Sequence, residues 1–329
     1  MFYMPELGRF LSRDMVMRPA VNPYVYVNNS PLRFVDPTGL WEEGGHYYTT
    51  YLVSRLAASR LGGTAISPEA LAYYSQLPDV IASYEATPEA VGQFAQGVAI
   101  AAGGGAGGGV TGNLTAAEIA SKQWSQDIFE VLHSLHGGDA NAVFERRDCL
   151  KNFLRNLVLK GAPDWQIGFT IHALGDAYSH TYRDEAGLHA FGWPFGHGEQ
   201  NVSGVSPDSI GLSHSAYSGY VDTLYEALTG IRSNYNASVV GSLGAVKNAG
   251  LKAGLGNLRS WAAGQPVDVR AESELMRQYA ISQGLSDEYN PLTSGRNTFE
   301  KKYRTPTRDE VRSYLDALKK ACVKSPCNK

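Results

Sequence analysis

No run of about 18 apolar residues occurs in the 329-residue sequence, so no segment meets the usual length of a transmembrane helix. The opening MFYMPELGRF has neither a basic stretch nor an apolar core, and no signal peptide is expected there. Basic clusters are missing too. Lys and Arg number 29 against 32 Asp and Glu, and the net charge is −3. Nothing in that balance asks for a nucleic-acid backbone as electrostatic partner, although a small basic groove would not show in a total. Cysteine is scarce, at three residues, and no CxxC pair occurs, which argues against a thiolate metal site. Free thiols are the default reading of Cys149, Cys322 and Cys327. A short Cys322–Cys327 loop disulfide is the alternative in an oxidising space. No alternating strand pattern of any length follows residue 41.

What is present divides the chain in two. Residues 1–40 are rich in Tyr, Phe, Pro and Asn, with the turn signals NNSP and DPTG, and predict short strands and tight turns. From Trp41 onward the pattern is helical, in an effector segment 41–329. Leu52, Val53, Leu56, Ala57 and Leu61 share one face of a first helix. A second begins at Ser67 as N-cap with Pro68 in its first turn and ends near Pro78. A third, opened by a Thr115/Glu118 capping box, ends at Gly137. Further helices are expected over NAVFERRDCLKNFLRNLVLKG and PDWQIGFTIHALGDAYSHTY. After a glycine- and aromatic-rich loop at 183–206, three more follow, the last with a Thr307/Glu310 capping box. The glycine-rich stretch 91–113 reads as a flexible loop or insertion, because each Gly costs a helix roughly 1 kcal/mol against Ala. The fold expected is a mainly α multi-helix bundle behind a short β-rich segment. Its core spans about 46–235, with a helical C-terminal extension at about 236–329.

The chemistry centres on IHALGDAYSH, residues 171–180. Residues four apart on a helix drift by about 40° per step, so His172, Asp176 and His180 can face one cleft. Small neighbours leave room for an ion or a second helix. A His with an acid or His one turn on lets one helix offer two ligands to one metal. Other candidates fall at helix ends or loop mouths: His46, Asp79, His133, His136, His197, Glu199 and Asp208. Six or more nitrogen and oxygen ligands on successive helices, without thiolates, suit two or three zinc ions in a helical bundle. Tyr47, Tyr48, Phe191, Trp193 and Phe195 could seat an acyl chain or a base. For any one of them, core packing is the simpler reading.

Two resemblances add to this. YMPELGRFLSRD followed by NPYVYVNNSPLRFVDPTGL resembles the Rhs-repeat-associated core of polymorphic toxins. The matching residues are Tyr3, Pro5, Gly8, Arg9, Phe10, Asp14, Asn22, Tyr24, Tyr26, Asn29, Pro31, Asp36, Pro37, Gly39 and Leu40. Met4 and Met15 depart from the pattern, which usually has Asp and Pro there. The resemblance implies a variable effector after residue 40, an Rhs shell around it, a specialised secretion machine that needs no signal peptide, and a cognate immunity protein. It also implies self-cleavage after Leu40 by the pair Asp14 and Asp36. Two close carboxylates sharing a proton suit that task, whereas Asp36 alone would simply start the DPTG turn.

The order His46, Asp79, His133, then His172 and Asp176 as an HxxxD pair, then His180 and His197 with an acid, is similar to the zinc-dependent phospholipase C and single-strand nuclease fold. That resemblance implies an all-helical hydrolase with up to three zincs, Asp176 bridging two of them, and Glu199 or Asp208 as the last carboxylate. His180 lies closer to Asp176 than is usual there, and His197 lacks an acid one turn later. A cut after Leu40 would expose the amine of Trp41, five residues before His46, as a further ligand. The expected activity is phosphodiester hydrolysis, of the phospholipase C kind, at the membrane or in the periplasm of the target cell, with Asp79 orienting or deprotonating the water. The alternatives are a nuclease using the same site, or a non-enzymatic toxin that permeabilises membranes through 91–113.

Overall fold

The computed structural model describes residues 3–4, 9–10, 44–61, 66–85, 123–124, 126–192, 209–232, 237–265, 267–286 and 302–322. Within the first forty residues it describes one antiparallel pair, β1 (Tyr3–Met4) and β2 (Arg9–Phe10), with Tyr3 opposite Phe10. Asp14, Asp36, Leu40, Trp41, the 91–113 stretch, Trp193, Phe195, His197, Glu199 and Asp208 lie outside the described residues.

The remainder is mainly α. A π-helical turn at Gly44–Tyr48 leads into α1 (Thr49–Arg60), and α2 covers Pro68–Glu85. A second π-helical turn, Ile128–Leu132, precedes α3 (Ala140–Leu159) and α4 (Asp164–Ser179). Beyond them lie α5 (His214–Thr229), α6 (Ala237–Ala262), α7 (Val269–Ser282) and α8 (Arg308–Cys322).

Capping chemistry places many of the ends. Ser67 Oγ accepts from Ala70 N at 3.3 Å, and the Asp139 side chain accepts from Ala142 N at 3.1 Å. Thr307 and Glu310 form the expected reciprocal box: Thr307 N donates to Glu310 Oε2 at 2.8 Å and Glu310 N to Thr307 Oγ1 at 3.3 Å. Helix α5 stops at Gly230, whose φ of 71° is easy only for glycine.

Helix α4 is the axis of the molecule. Nearly all of it is buried, including Phe169, Ile171 and Leu174, each contributing about 1.5–3 kcal/mol by leaving water. A helix apolar on every side must be enclosed, and α2, α3 and α5 enclose this one. Gly168 sets the α2–α4 approach, since a Cβ there would lie 2.3 Å from Tyr74 Cβ. Helices α1, α5, α6, α7 and α8 all place residues in the same hydrophobic cluster, so α6, α7 and α8 share one core with the site-bearing helices.

Four expectations need correction. Helix α2 does not stop at Pro78 but runs on to Glu85. The lost backbone donor costs one bond, and packing along α4 outweighs it. The 183–206 loop begins instead as a hairpin, β3 (Thr181–Asp184) and β4 (Gly187–Ala190), turning at Gly187 with φ 124°. Its four-residue strands are too short to show a period. The segment 237–262, which carries five glycines and for which the sequence predicts no helix of its own within the expected helical extension, forms the longest described helix. Finally, Cys149 is bonded to Cys322 across 173 residues of sequence, joining α3 to α8, so Cys322 is not paired with Cys327. Sequence proximity suggested the wrong pair because packing of α8 on α3 decides which thiols meet.

Candidate metal centre

Four pieces of backbone deliver side chains to one buried point beside α4. His172 and Asp176 come from α4 itself, one turn apart. His180 is its C-terminal cap residue, with its N–H on the Asp176 carbonyl at 2.8 Å. His46 comes from the first π-turn, Asp79 from α2 just past Pro78, and His133 follows the second π-turn. His46, His133, His172, Asp176 and His180 are fully buried, and the Asp79 side chain is 7% exposed, which puts Asp79 at the rim.

Hydrogen bonds fix the ring orientations. A carbonyl can only accept, so His172 Nδ1 donates to the Ser75 carbonyl at 2.8 Å and Nε2 carries the lone pair. His180 Nδ1 likewise donates to the His133 carbonyl at 2.6 Å, tying His180 to the backbone that presents His133. Ser75 also donates through Oγ to the His46 carbonyl at 3.0 Å, so one residue steadies two imidazoles. Gln76 Nε2 donates to Asp79 Oδ2 at 2.5 Å, and the other oxygen of Asp79 lies 3.5 Å from His172 Nε2. Backbone partners of this kind hold metal-ligating imidazoles in place in other proteins.

The donor atoms crowd together. His172 Nε2 is 3.0 Å from His133 Nδ1, 3.2 Å from Asp176 Oδ2 and 3.5 Å from Asp79 Oδ1. His133 Nδ1 is 3.1 Å from Asp176 Oδ2 and 3.9 Å from Asp79 Oδ1. Around a tetrahedral zinc with bonds near 2.0–2.1 Å, neighbouring donor atoms stand about 3.3 Å apart. The separations among His172, His133 and Asp79, like those among His172, His133 and Asp176, scatter about that value, a spacing that a shared metal ion would accept. His46 Nε2 approaches the other oxygen of Asp176 at 2.9 Å. Among the described residues, neither ring nitrogen of His46 nor Oδ1 of Asp176 has a hydrogen-bond partner. Buried polar atoms normally do. Two such atoms in contact without a hydrogen bond stand as two ligands of one ion would stand.

No match to this chain is found among protein-family models, curated proteins or solved structures.

The electrostatics agree with the donor set. Burial pushes His172 below its ordinary value, with the His46 ring adding to that and Asp176 opposing it. Burial alone would raise Asp176. His172, His180, His46 and the His133 hydrogen bond together outweigh it and hold the carboxyl well below the usual range. A fully buried carboxylate stays ionised only beside positive charge, and an imidazolium or a metal cation supplies it equally well.

The remaining sites are placed differently. His136 stays outside the cluster: its Nδ1 donates to the Gly137 carbonyl at 2.6 Å, and its backbone pairs with Gly192. His180 is buried beside the cluster, its Nδ1 3.9 Å from Asp176 Oδ2, but it joins neither group of mutually close donor atoms. Tyr47 and Tyr48 are fully buried core residues in edge-to-face contact with each other.

Several supporting residues escaped the sequence reading. Gly175 lies under the His46 ring, where a Cβ would stand 3.0 Å from Cε1. Ser134 adopts φ 51°, unusual for a residue with a side chain, and its Oγ donates to the Ala173 carbonyl at 2.8 Å, locking the turn after His133 onto α4. Ser75 and Gln76 carried no signal, because a serine and a glutamine in a helix look like any others. Gly175 was visible only as a small residue between ligands.

Proposed function

We propose that the protein is a zinc-dependent phosphodiester hydrolase of the phospholipase C type, acting as the toxic effector of an Rhs-like protein. One observation carries the reading: His46, Asp79, His133, His172 and Asp176, spread over 131 positions from 46 to 176, meet at donor-to-donor distances of 2.9–3.9 Å in a buried pocket of the helical core. Two overlapping groups of donor atoms would hold the metal: Asp79 with His133 and His172, and His46 with His172 and Asp176. Zinc bound there supplies a Lewis acid for a phosphoryl oxygen and brings the pKa of a bound water from 15.7 down to about 7.

The chain's own groups do the rest. Asp79, at the rim, is the group a substrate meets first. Gln76 Nε2 fixes its carboxylate, which would orient a water bound beside it. The Ser75 carbonyl keeps the proton of His172 on Nδ1 and so keeps Nε2 free for a ligand's role. The Cys149–Cys322 bond supports action in an oxidising space outside a bacterial cytosol. The Rhs shell, a secretion machine and an immunity protein enter this reading as partners through residues 1–40.

Zinc analysis of the purified chain, paired with turnover of a choline phospholipid and of single-stranded DNA, tests the proposal. Two equivalents of zinc and phospholipid turnover, both lost in His172→Ala and Asp176→Ala, are the expected result. DNA turnover instead would move the substrate to nucleic acid. A folded chain that takes up no zinc would overturn the reading altogether.

A further inference from the structure

Helix α3 carries two adjacent arginines, Arg146 and Arg147, and both donate to backbone carbonyls of segments that present site residues. Neighbours on a helix point about 100° apart, so such a pair can reach two different segments. The helix itself is well held. Asp139 caps its start, and Leu150 and Leu154 are fully buried in the main core.

Arg146 is a buried cation, 3% exposed. Its hydrogen-bond acceptors among the described residues are the carbonyls of Glu130, at 3.4 Å, and Val131. Its Nε and Nη1 have no partner there. Burial lowers its pKa to about 10, which leaves it charged at neutral pH. A buried charge bonded only to neutral groups is a costly way to gain stability, so its place in the fold needs another reason.

The second π-turn supplies one. Its backbone ladder ends with His133 N on the Ile128 carbonyl and Leu135 N on the Phe129 carbonyl, both at 3.0 Å. Ser134, at φ 51°, turns the chain off the helical path. The carbonyls of Glu130 and Val131 come at that end, where a helical segment has no donors of its own left. Arg146 supplies the donors, and its charge suits the negative end of the turn. His133 follows two residues after Val131.

Arg147 does the same at the end of α4. Its Nε donates to the Ala177 carbonyl at 2.8 Å and its Nη2 to Thr181 Oγ1 at 3.4 Å, and its guanidinium lies 4.0 Å over the Tyr178 ring. Ala177 directly follows Asp176. The two ends so held also bond to each other, through His180 Nδ1 on the His133 carbonyl and Ser134 Oγ on the Ala173 carbonyl.

We propose that Arg146 and Arg147 are positioning residues of the metal centre: from one helix they hold the carbonyl ends of the segments that present His133 and Asp176, and so set the distance between those two ligands. A guanidinium has no lone pair to offer an ion, so both act through the backbone. The inference rests on the metal reading of the cluster.

Zinc competition against a chelating dye, on the full chain, and the visible absorption of the same chain loaded with cobalt test it. Arg146→Met is expected to bind zinc at least about tenfold more weakly and to shift the cobalt bands, which report ligand geometry. Arg147→Met is expected to show a smaller loss and shift in the same direction. Because Arg147 is only half-buried, that variant decides the question should the Arg146→Met chain fail to fold. Arg146→Lys returns a cation with rotatable donors to the two carbonyls and is expected to recover most of the affinity. Leu154→Ala removes core packing from the same helix and no carbonyl partner. It is expected to unfold at lower denaturant yet keep the zinc affinity and cobalt bands of the wild type.

Wild-type affinity and bands in both Met variants overturn the inference. So does a loss in Leu154→Ala equal to that in Arg146→Met, which would make the arginines ordinary core supports, or an Arg146→Lys chain as weak as the Met variant. A wild-type chain that takes up no zinc is a different result, since it removes the metal reading and this inference with it.

Discussion

Helices α4 and α6 are both rich in small residues, and they use them in opposite ways. In α4 each glycine is a point of contact: Gly168 receives Tyr74 of α2, and Gly175 receives the ring of His46. In α6, Gly250 and Gly254 make such contacts, but Gly241, Gly244 and Gly256 face open space. The same residue thus brings ligands to a buried point in one helix and leaves a smooth exposed face on the other. Missing side chains in α4 let neighbouring backbone and rings approach, and the helix-forming penalty is offset by packing. In the outer half of α6 nothing offsets it.

Substitutions at matched positions should separate the two cases. Gly168→Ala is expected to be the most damaging, by about 3 kcal/mol or more, because its Cβ meets Tyr74 Cβ at 2.3 Å and the Tyr74 carbonyl carbon at 2.8 Å. Denaturant unfolding checks it, and a loss under 1 kcal/mol would mean that α2 and α4 can part without cost. Acid should act beside the α4 cluster, through His136. Burial first, then the Arg146 charge, lowers His136 to about 4. Its unfolded pKa is about 6.5, so on acidification the unfolded chain takes up that proton before the folded one. The stabilising contribution is complete above pH 6.5 and disappears as pH falls towards 4, at most about 3 kcal/mol in all. His136→Gln should flatten that part of the stability–pH curve, and an unchanged curve would show that another group controls it.

A smaller effect on stability is expected from Gly175→Ala, about 1–2 kcal/mol, since the His46 ring can yield a few tenths of an ångström. Its signature is on zinc: at least about tenfold weaker binding, measured by competition with a chelating dye, from displacing one ligand. Gly256→Ala in α6 should go the other way and stabilise by about 0.5–1 kcal/mol, with zinc binding untouched. A destabilising Gly256→Ala would mean that the outer face of α6 is covered after all, and the contrast between the two helices would fail.

Much of the helical framework was legible because its signals are local. Ser67 and the Thr307/Glu310 box announce helix starts through hydrogen bonds within one turn. His172 and Asp176 announce a shared face through spacing alone. The errors share a cause in long-range packing. Pro78 is tolerated because α2 lies along α4, and α6 is helical despite five glycines because Val239, Leu243, Val246 and Ala253 anchor it in the core. Cys149 finds Cys322 because α8 packs on α3.

By itself, then, the sequence determined the mainly helical class, most helix starts and the identities of the side chains around α4, since periodicity, caps and donor chemistry are properties of neighbours in the chain. Tertiary structure alone decided that His46, Asp79 and His133 stand within reach of His172 and Asp176, that Ser75 and Gln76 hold them there, and which face of α6 is bare. Those outcomes depend on how closely α2, the π-turns and α4 can approach. That approach is governed by the side-chain volume at Gly168 and Gly175 summed with everything packed behind it.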